Sequence, residues 1–115
     1  MSVKLETRQV GDVTVVDASG RITLGEGAEA FQELIEKLVA SGHKKVLINM
    51  GGISYIDSSG IGELVNGFTT VTNAGGLLKL LNLGKRVYNL LQTTKLRTIF
   101  QTFDNEAAAI RSFSS

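Results

Sequence analysis

The sequence predicts an α/β fold: a mixed sheet of four to five strands that starts with a hairpin and is packed with about four helices. Three observations predict it. Two strand-like runs, near Val3–Gln9 and over Val13–Ala18, flank a Gly11-Asp12 turn, the pattern of a hairpin. Val46-Leu47-Ile48-Asn49-Met50 and Leu77-Leu78-Lys79-Leu80-Leu81 are nearly continuous apolar runs, as in strands covered on both faces. Helical periods alternate with those runs, which implies strands joined through helices that pack on the sheet.

Taken in order, the first run alternates loosely at Val3, Leu5, Thr7 and Gln9. The second is rich in β-branched residues, which suit a pleated surface. Ser19-Gly20 is expected to break it, with Arg21–Leu24 as a short extension. Gly25-Glu26-Gly27 leads into a helix whose Phe31, Leu34, Ile35 and Leu38 share one face. Glu26 and Glu29 suit its N-terminal dipole, and Ser41-Gly42 ends it. After Val46–Met50 comes the stretch Ile53-Ser54-Tyr55-Ile56-Asp57-Ser58-Ser59-Gly60-Ile61-Gly62, around which the chain is organised. From Ile61 the period is helical (Leu64, Val65, Phe68), and Asn73-Ala74-Gly75-Gly76 stops it. Gly84 opens a short helix with Val87, Leu90 and Leu91 on one face. Ile99-Phe100 is the expected site of a short final strand, and Asp104 the expected N-cap of a last helix holding Ala107, Ala108 and Ile110.

Composition narrows the class. One domain, 1–115, accounts for the 115 residues, and an apolar fraction of 43% is enough for a core. The net charge of +1 implies no bulk pull toward nucleic acid or a membrane surface. No acidic residue falls between Glu63 and Asp104, while Lys79, Lys85, Arg86, Lys95 and Arg97 all do. They read as a solvated basic side, with a partner-facing patch as the other reading. With no cysteine there are no disulfides, thiolate nucleophiles or cysteine metal sites, which fits a reducing compartment. The N-terminal residues lack the apolar core of a signal peptide, and no apolar run nears the ~20 residues of a membrane span. A cytoplasmic protein is expected.

Enzyme chemistry finds little footing. Ser58 follows a strand and precedes a helix, but Ile56 stands where the nucleophile elbow needs its first glycine. The single histidine, His43, lies between a helix and the next strand, beside Lys44 and Lys45. No catalytic residue, cofactor or metal is expected: Asp57 and Glu63 are the only acids near the key turn, and no D-x-D-type loop holds them. Gly25-x-Gly27-x-x-Ala30 matches a dinucleotide fingerprint, yet Glu26 and Glu29 put negative charge where a pyrophosphate would bind. A turn and helix start explain it better.

Asp57-Ser58-Ser59-Gly60 is different. One capping group is enough for a helix, and here there are three, followed by Gly60 and Gly62, both poor helix formers. Small residues let another backbone approach closely. Along the outer face, Glu63 is the only charge among Asn66, Gly67, Thr69, Thr70 and Asn73. A lightly charged, small-residue face points to docking.

Through Gly20, Val46-Leu47-Ile48-Asn49, Ile56-Asp57-Ser58-Ser59-Gly60-Ile61-Gly62, Gly75-Gly76, Leu77–Leu81 and the Ala-rich end, the chain resembles the STAS-domain family. Within it, the likeness is to the bacterial anti-sigma factor antagonists, and it covers essentially the whole chain. The resemblance implies phosphorylation of Ser58 by an anti-sigma factor with serine kinase activity. It implies that the unphosphorylated form binds this partner and frees a sigma factor, and that a phosphatase resets the cycle. It places partner contacts at Asp57, Ser58, Ser59, Gly60, Gly62, Glu63, Asn66 and Thr23. Many members carry an acid shortly after the glycine that follows the second strand; here the run is Gly20-Arg21-Ile22-Thr23, so the partner's surface is expected to differ there. A monomer or weak dimer, with no direct nucleic-acid or membrane contact, is expected. The alternative is an adaptor in another signalling or transport complex, with Ser58 unmodified.

Overall fold

The structure, a computed structural model, describes residues 3–114. The reading of Met1 and Ser2 as part of a chain start without a signal peptide lies outside them. β1 (Val3–Val10) and β2 (Val13–Ile22) form the expected hairpin around Gly11, whose φ of +62° suits glycine. Then come α1 (Glu26–Ala40), β3 (Lys45–Ile56), α2 (Ser58–Asn73), β4 (Leu77–Leu81), α3 (Lys85–Thr93), β5 (Thr102–Phe103) and α4 (Glu106–Arg111). The five strands lie in the sheet in chain order, β1 antiparallel to β2 and the other neighbours parallel. The fold is the mixed α/β sheet with four helices that the sequence predicts.

Strand order decides where the helices go. Each parallel crossover steps to the next strand in the same direction, so right-handed connections put α1, α2 and α3 on one face. The larger core is there: Phe31 and Ile35 of α1, Leu64 and Val71 of α2, and Leu91 of α3 pack with Val16 and Ile48. Burial of each such side chain contributes roughly 1.5–3 kcal/mol. The opposite face, Val13, Val15, Leu47 and Leu81, meets Ala109 of α4 and Phe113 of the 3₁₀ turn that follows it.

Lys79 stands on that second face and is buried, which corrects its place among the solvated bases. Its Nζ donates to the backbone oxygen of Ser112 at 3.0 Å and to its Oγ at 2.9 Å, 4.6 Å from the centre of the Phe113 ring. Burial pushes its ammonium pKa down. Lys79 therefore ties the C-terminal cover to the sheet.

Other expectations shift. β2 runs through Ser19-Gly20 to Ile22, because two register irregularities and a φ of +95° at Gly20 absorb the break. β3 likewise extends to Ile56. Ile99-Phe100 is not a strand: a 3₁₀ turn covers Arg97–Ile99, and the chain pairs with β4 only at Thr102 and Phe103. The last helix is capped one residue later than expected, by Asn105, whose Oδ1 accepts from the Ala108 N–H at 2.8 Å. Ala109 and Phe113, not Ala107, are its buried contacts.

On the second face Arg8 forks between two carboxylates, with its Nε 2.6 Å from Asp17 Oδ2 and a terminal nitrogen 2.6 Å from Glu106 Oε1. The Arg8 guanidinium holds both carboxyls below their usual range. A carboxyl lowered on folding adds stability above its unfolded pKa, near 4, and loses it as pH falls through the folded value. Denaturant midpoints are therefore expected to be level above about pH 5 and to fall below about pH 4.5. Arg8→Met should remove part of that fall. These groups are partly exposed, so about 1 kcal/mol or less per pair is involved. An unchanged pH profile in the variant would show that the pairs contribute nothing.

Candidate functional site

β3 ends at Ile56 and α2 begins at Ser58, and Asp57 bridges them in extended backbone. It is an N-cap, with Oδ1 accepting from the Gly60 N–H at 2.9 Å. Such a cap contributes about 1 kcal/mol. Oδ2 accepts from the backbone N–H of Leu24 at 3.0 Å, so one side chain joins the α2 start to the β2–α1 loop. Burial raises the Asp57 carboxyl, but hydrogen bonds from the Gly60, Leu24 and Ser59 backbone outweigh it, leaving the pKa lowered.

Ser58 is the first residue of α2 and is exposed, and its hydroxyl makes no hydrogen bond among the described residues. Ser59 is half-buried. The two glycines part company. Gly60 is buried, and a Cβ there would collide with the Ile22 carbonyl oxygen and stand 2.6 Å from Ile56 Cγ1. Gly62 is exposed, with nothing within 4 Å of a Cβ. Ser58, Gly62, Asn66 and Thr69 thus form one exposed stripe at helical spacing. Glu63, beside it, is half-buried, with Asn66 Nδ2 at 3.5 Å. Thr23 is half-buried, and its backbone oxygen accepts from the Ala28 N–H at 3.0 Å, starting α1. The structure therefore gathers Thr23, Asp57, Ser58, Ser59 and Gly60 at one end of α2. Gly62, Glu63 and Asn66 continue along the helix.

Two features were not evident from the sequence. Leu24 is 79% exposed in the loop that Asp57 holds. An apolar residue between Thr23 and Gly25, off the end of a strand, is its only sequence signal. On the other side of Ser58 lies a cleft of about 690 Å³, whose lining includes Tyr55, Asp57, Ser58, Lys85, Arg86 and Asn89. The guanidinium carbons of Arg21 and Arg86 stand 5.0 and 4.9 Å from the centre of the Tyr55 ring, within cation–π range. Their residues come from β2, β3 and α3, which is why no local pattern announces them.

The rival chemistries lose ground on geometry. His43 and Ser58 flank opposite ends of the 12-residue strand β3, and His43 Nδ1 lies 3.3 Å from Thr14 Oγ1. Among the described residues no histidine lines the cleft beside Ser58, and the one carboxylate there, Asp57, already accepts backbone N–H groups on both oxygens. A Cβ at Gly27 would stand 2.8 Å from the Arg21 carbonyl oxygen, so that glycine lets α1 pack on β2. Among the described residues no group of three or more His, Cys, Asp or Glu is placed to hold a metal ion. Among the described residues no helix is long and apolar enough to cross a membrane.

Comparison with known proteins adds to this geometry. The family described as the STAS domain matches residues 4–109. The anti-sigma-B factor antagonist of Bacillus subtilis is 31% identical over 99 residues, covering 86% of this chain and 89% of the relative. An anti-sigma factor antagonist from Mycobacterium paratuberculosis has a similar structure, with a TM-score of 0.85 at 18% identity, over 99% of this chain and 96% of that one. The Bacillus protein SpoIIAA gives TM-scores of 0.74 in its unphosphorylated form and 0.73 in its phosphorylated form, at 20% identity, each over 95% of this chain and 96% and 99% of those chains.

Proposed function

The chain belongs to the STAS-domain family, and we propose that, with residues 1–115 as one domain, it acts as an anti-sigma factor antagonist switched at Ser58. One observation carries the reading: Ser58 is exposed, with its hydroxyl unbonded among the described residues, at the head of a small, nearly uncharged stripe, with the exposed Leu24 on the loop tied to Asp57. The named relative supports the general role, and the structural neighbours support the fold. No catalysis is assigned to this chain, and a soluble, cytoplasmic setting follows from the role.

In this mechanism the unmodified chain docks on an anti-sigma factor that is also a serine kinase, and a sigma factor is released. The partner moves the terminal phosphoryl group of ATP onto Ser58 Oγ. The new O–P bond replaces the bond to ADP, and the hydroxyl proton passes to a base on the kinase. The phosphate brings about −1.5 to −2 charges to a contact shaped for a hydroxyl. It must lose water to fit there, and each tenfold loss of affinity needs only about 1.4 kcal/mol. A phosphatase restores the hydroxyl. The fold need not change: SpoIIAA in its two forms resembles this chain to the same degree.

Two measurements test this. Phosphopeptide analysis of the protein from its own cells, in growth and under stress, should find phosphate on Ser58 that varies with condition. By calorimetry with the kinase partner, Ser58→Ala should bind like wild type, and Ser58→Asp should bind roughly tenfold or more weaker. A serine unmodified in every condition, together with equal binding of the two variants, would favour an adaptor in another signalling or transport complex.

A further inference from the structure

The modified form poses an electrostatic problem at its own site. A helix N-terminus offers the equivalent of about +0.5 charge. At α2 that end already holds Asp57, a full negative charge whose Oδ1 has taken the Gly60 N–H. A phosphate on Ser58 would add about −1.5 to −2 beside it. The helix end alone leaves that charge uncompensated.

The cleft beside Ser58 holds the missing charge. Lys85 and Arg86 line it together with Ser58, and neither cation is in a salt bridge among the described residues. Asp57 is the only acid in the lining, and backbone N–H groups bind both of its oxygens. The guanidinium of Arg86 lies over the Tyr55 ring, with Arg21 over the same ring as a third cation. The cleft is open and roomy for a phosphoryl group, and Asn89 adds an amide to its wall.

We propose that the phosphoryl group of phosphorylated Ser58 turns into this cleft and pairs with Lys85 and Arg86 of the same chain. The inference rests on Ser58 being the modified residue, as proposed above, and adds how the modified form is held. The cations then stabilise the phosphorylated state in the absence of any partner. The pairing offsets the repulsion of the phosphate by Asp57.

Phosphoserine placed at position 58 during translation tests the pairing with neither kinase nor partner. The phosphorus NMR signal is followed as pH is raised, in the full chain and in Lys85→Gln/Arg86→Gln. Exposed ion pairs lower the second phosphate pKa, ordinarily near 6, by roughly 0.3–1.5 units for two contacts. That lowering should vanish in the double variant and persist in Arg86→Lys. Thermal unfolding of the unphosphorylated variants checks that they fold; if the double variant does not, each single substitution should remove part of the lowering. The same phosphate pKa in wild type and in the folded glutamine variants would overturn the inference. A Ser58 unmodified in cells in every condition, with the titration difference intact, would instead fault the proposed function and leave the pairing standing.

Discussion

Gly60→Ala is expected to lose about 3 kcal/mol or more of folding stability, read as a lowered denaturant midpoint and a Tm lower by roughly 10–20 °C. The reason is a single added methyl. It would collide with the Ile22 carbonyl oxygen and stand 2.6 Å from Ile56 Cγ1 and 3.0 Å from Ile22 Cγ2. The carbonyl cannot retreat freely, because it also accepts from the Asp57 N–H at 3.3 Å. Two strand ends and the first turn of α2 would have to separate. Since native domains are stable by only about 5–15 kcal/mol, the loss is a large share of the whole. A change below about 1 kcal/mol would mean that this junction yields without cost.

Gly62→Leu should do the reverse. Nothing lies within 4 Å of a Cβ at Gly62, and leucine is the better helix former by up to about 0.8 kcal/mol, so stability should hold or rise slightly. Affinity for the anti-sigma partner, by calorimetry, should fall roughly tenfold or more, since the side chain fills space in which the proposed partner's backbone would lie. If binding fell only in step with stability, Gly62 would be a structural residue like Gly60. Unchanged binding would remove this stripe from the docking surface.

These two glycines show where the sequence was legible and where it was not. Both stand in the first turn of one helix, both are poor helix formers, and both read as a means of close approach. Only the path of β2 separates them: Ile22 passes over Gly60 and not over Gly62. Periodicity within one segment was a sound guide, because it reports burial directly. Phe31, Ile35 and Leu38 are buried as their spacing predicts, and Val46, Leu47, Ile48 and Met50 are covered on both faces of the sheet. β5 was misplaced because pairing with β4 defines it, and Ile99-Phe100 is the more apolar dipeptide nearby. At the site, the Asp57-Ser58-Ser59-Gly60 run was plain from residue types alone. Leu24 and the placing of the noted cations Lys85 and Arg86 beside Ser58 were not, since distant segments meet there. Lys79 failed the rule that lysine is solvated, because Ser112 and two aromatic rings surround its ammonium.

The strand order also bears on how the chain is made. From β2 onward, every strand pairs with the one synthesised just before it. A chain leaving the ribosome can therefore extend its sheet strand by strand, with no gap held open for a later arrival. The helix-covered face closes as each crossover is completed. The opposite face must wait: Val13, Val15 and Leu47 are laid down early, yet Ala109 and Phe113, which cover them, come last. Until the turn holding Phe113 docks, the nascent protein carries an open apolar strip.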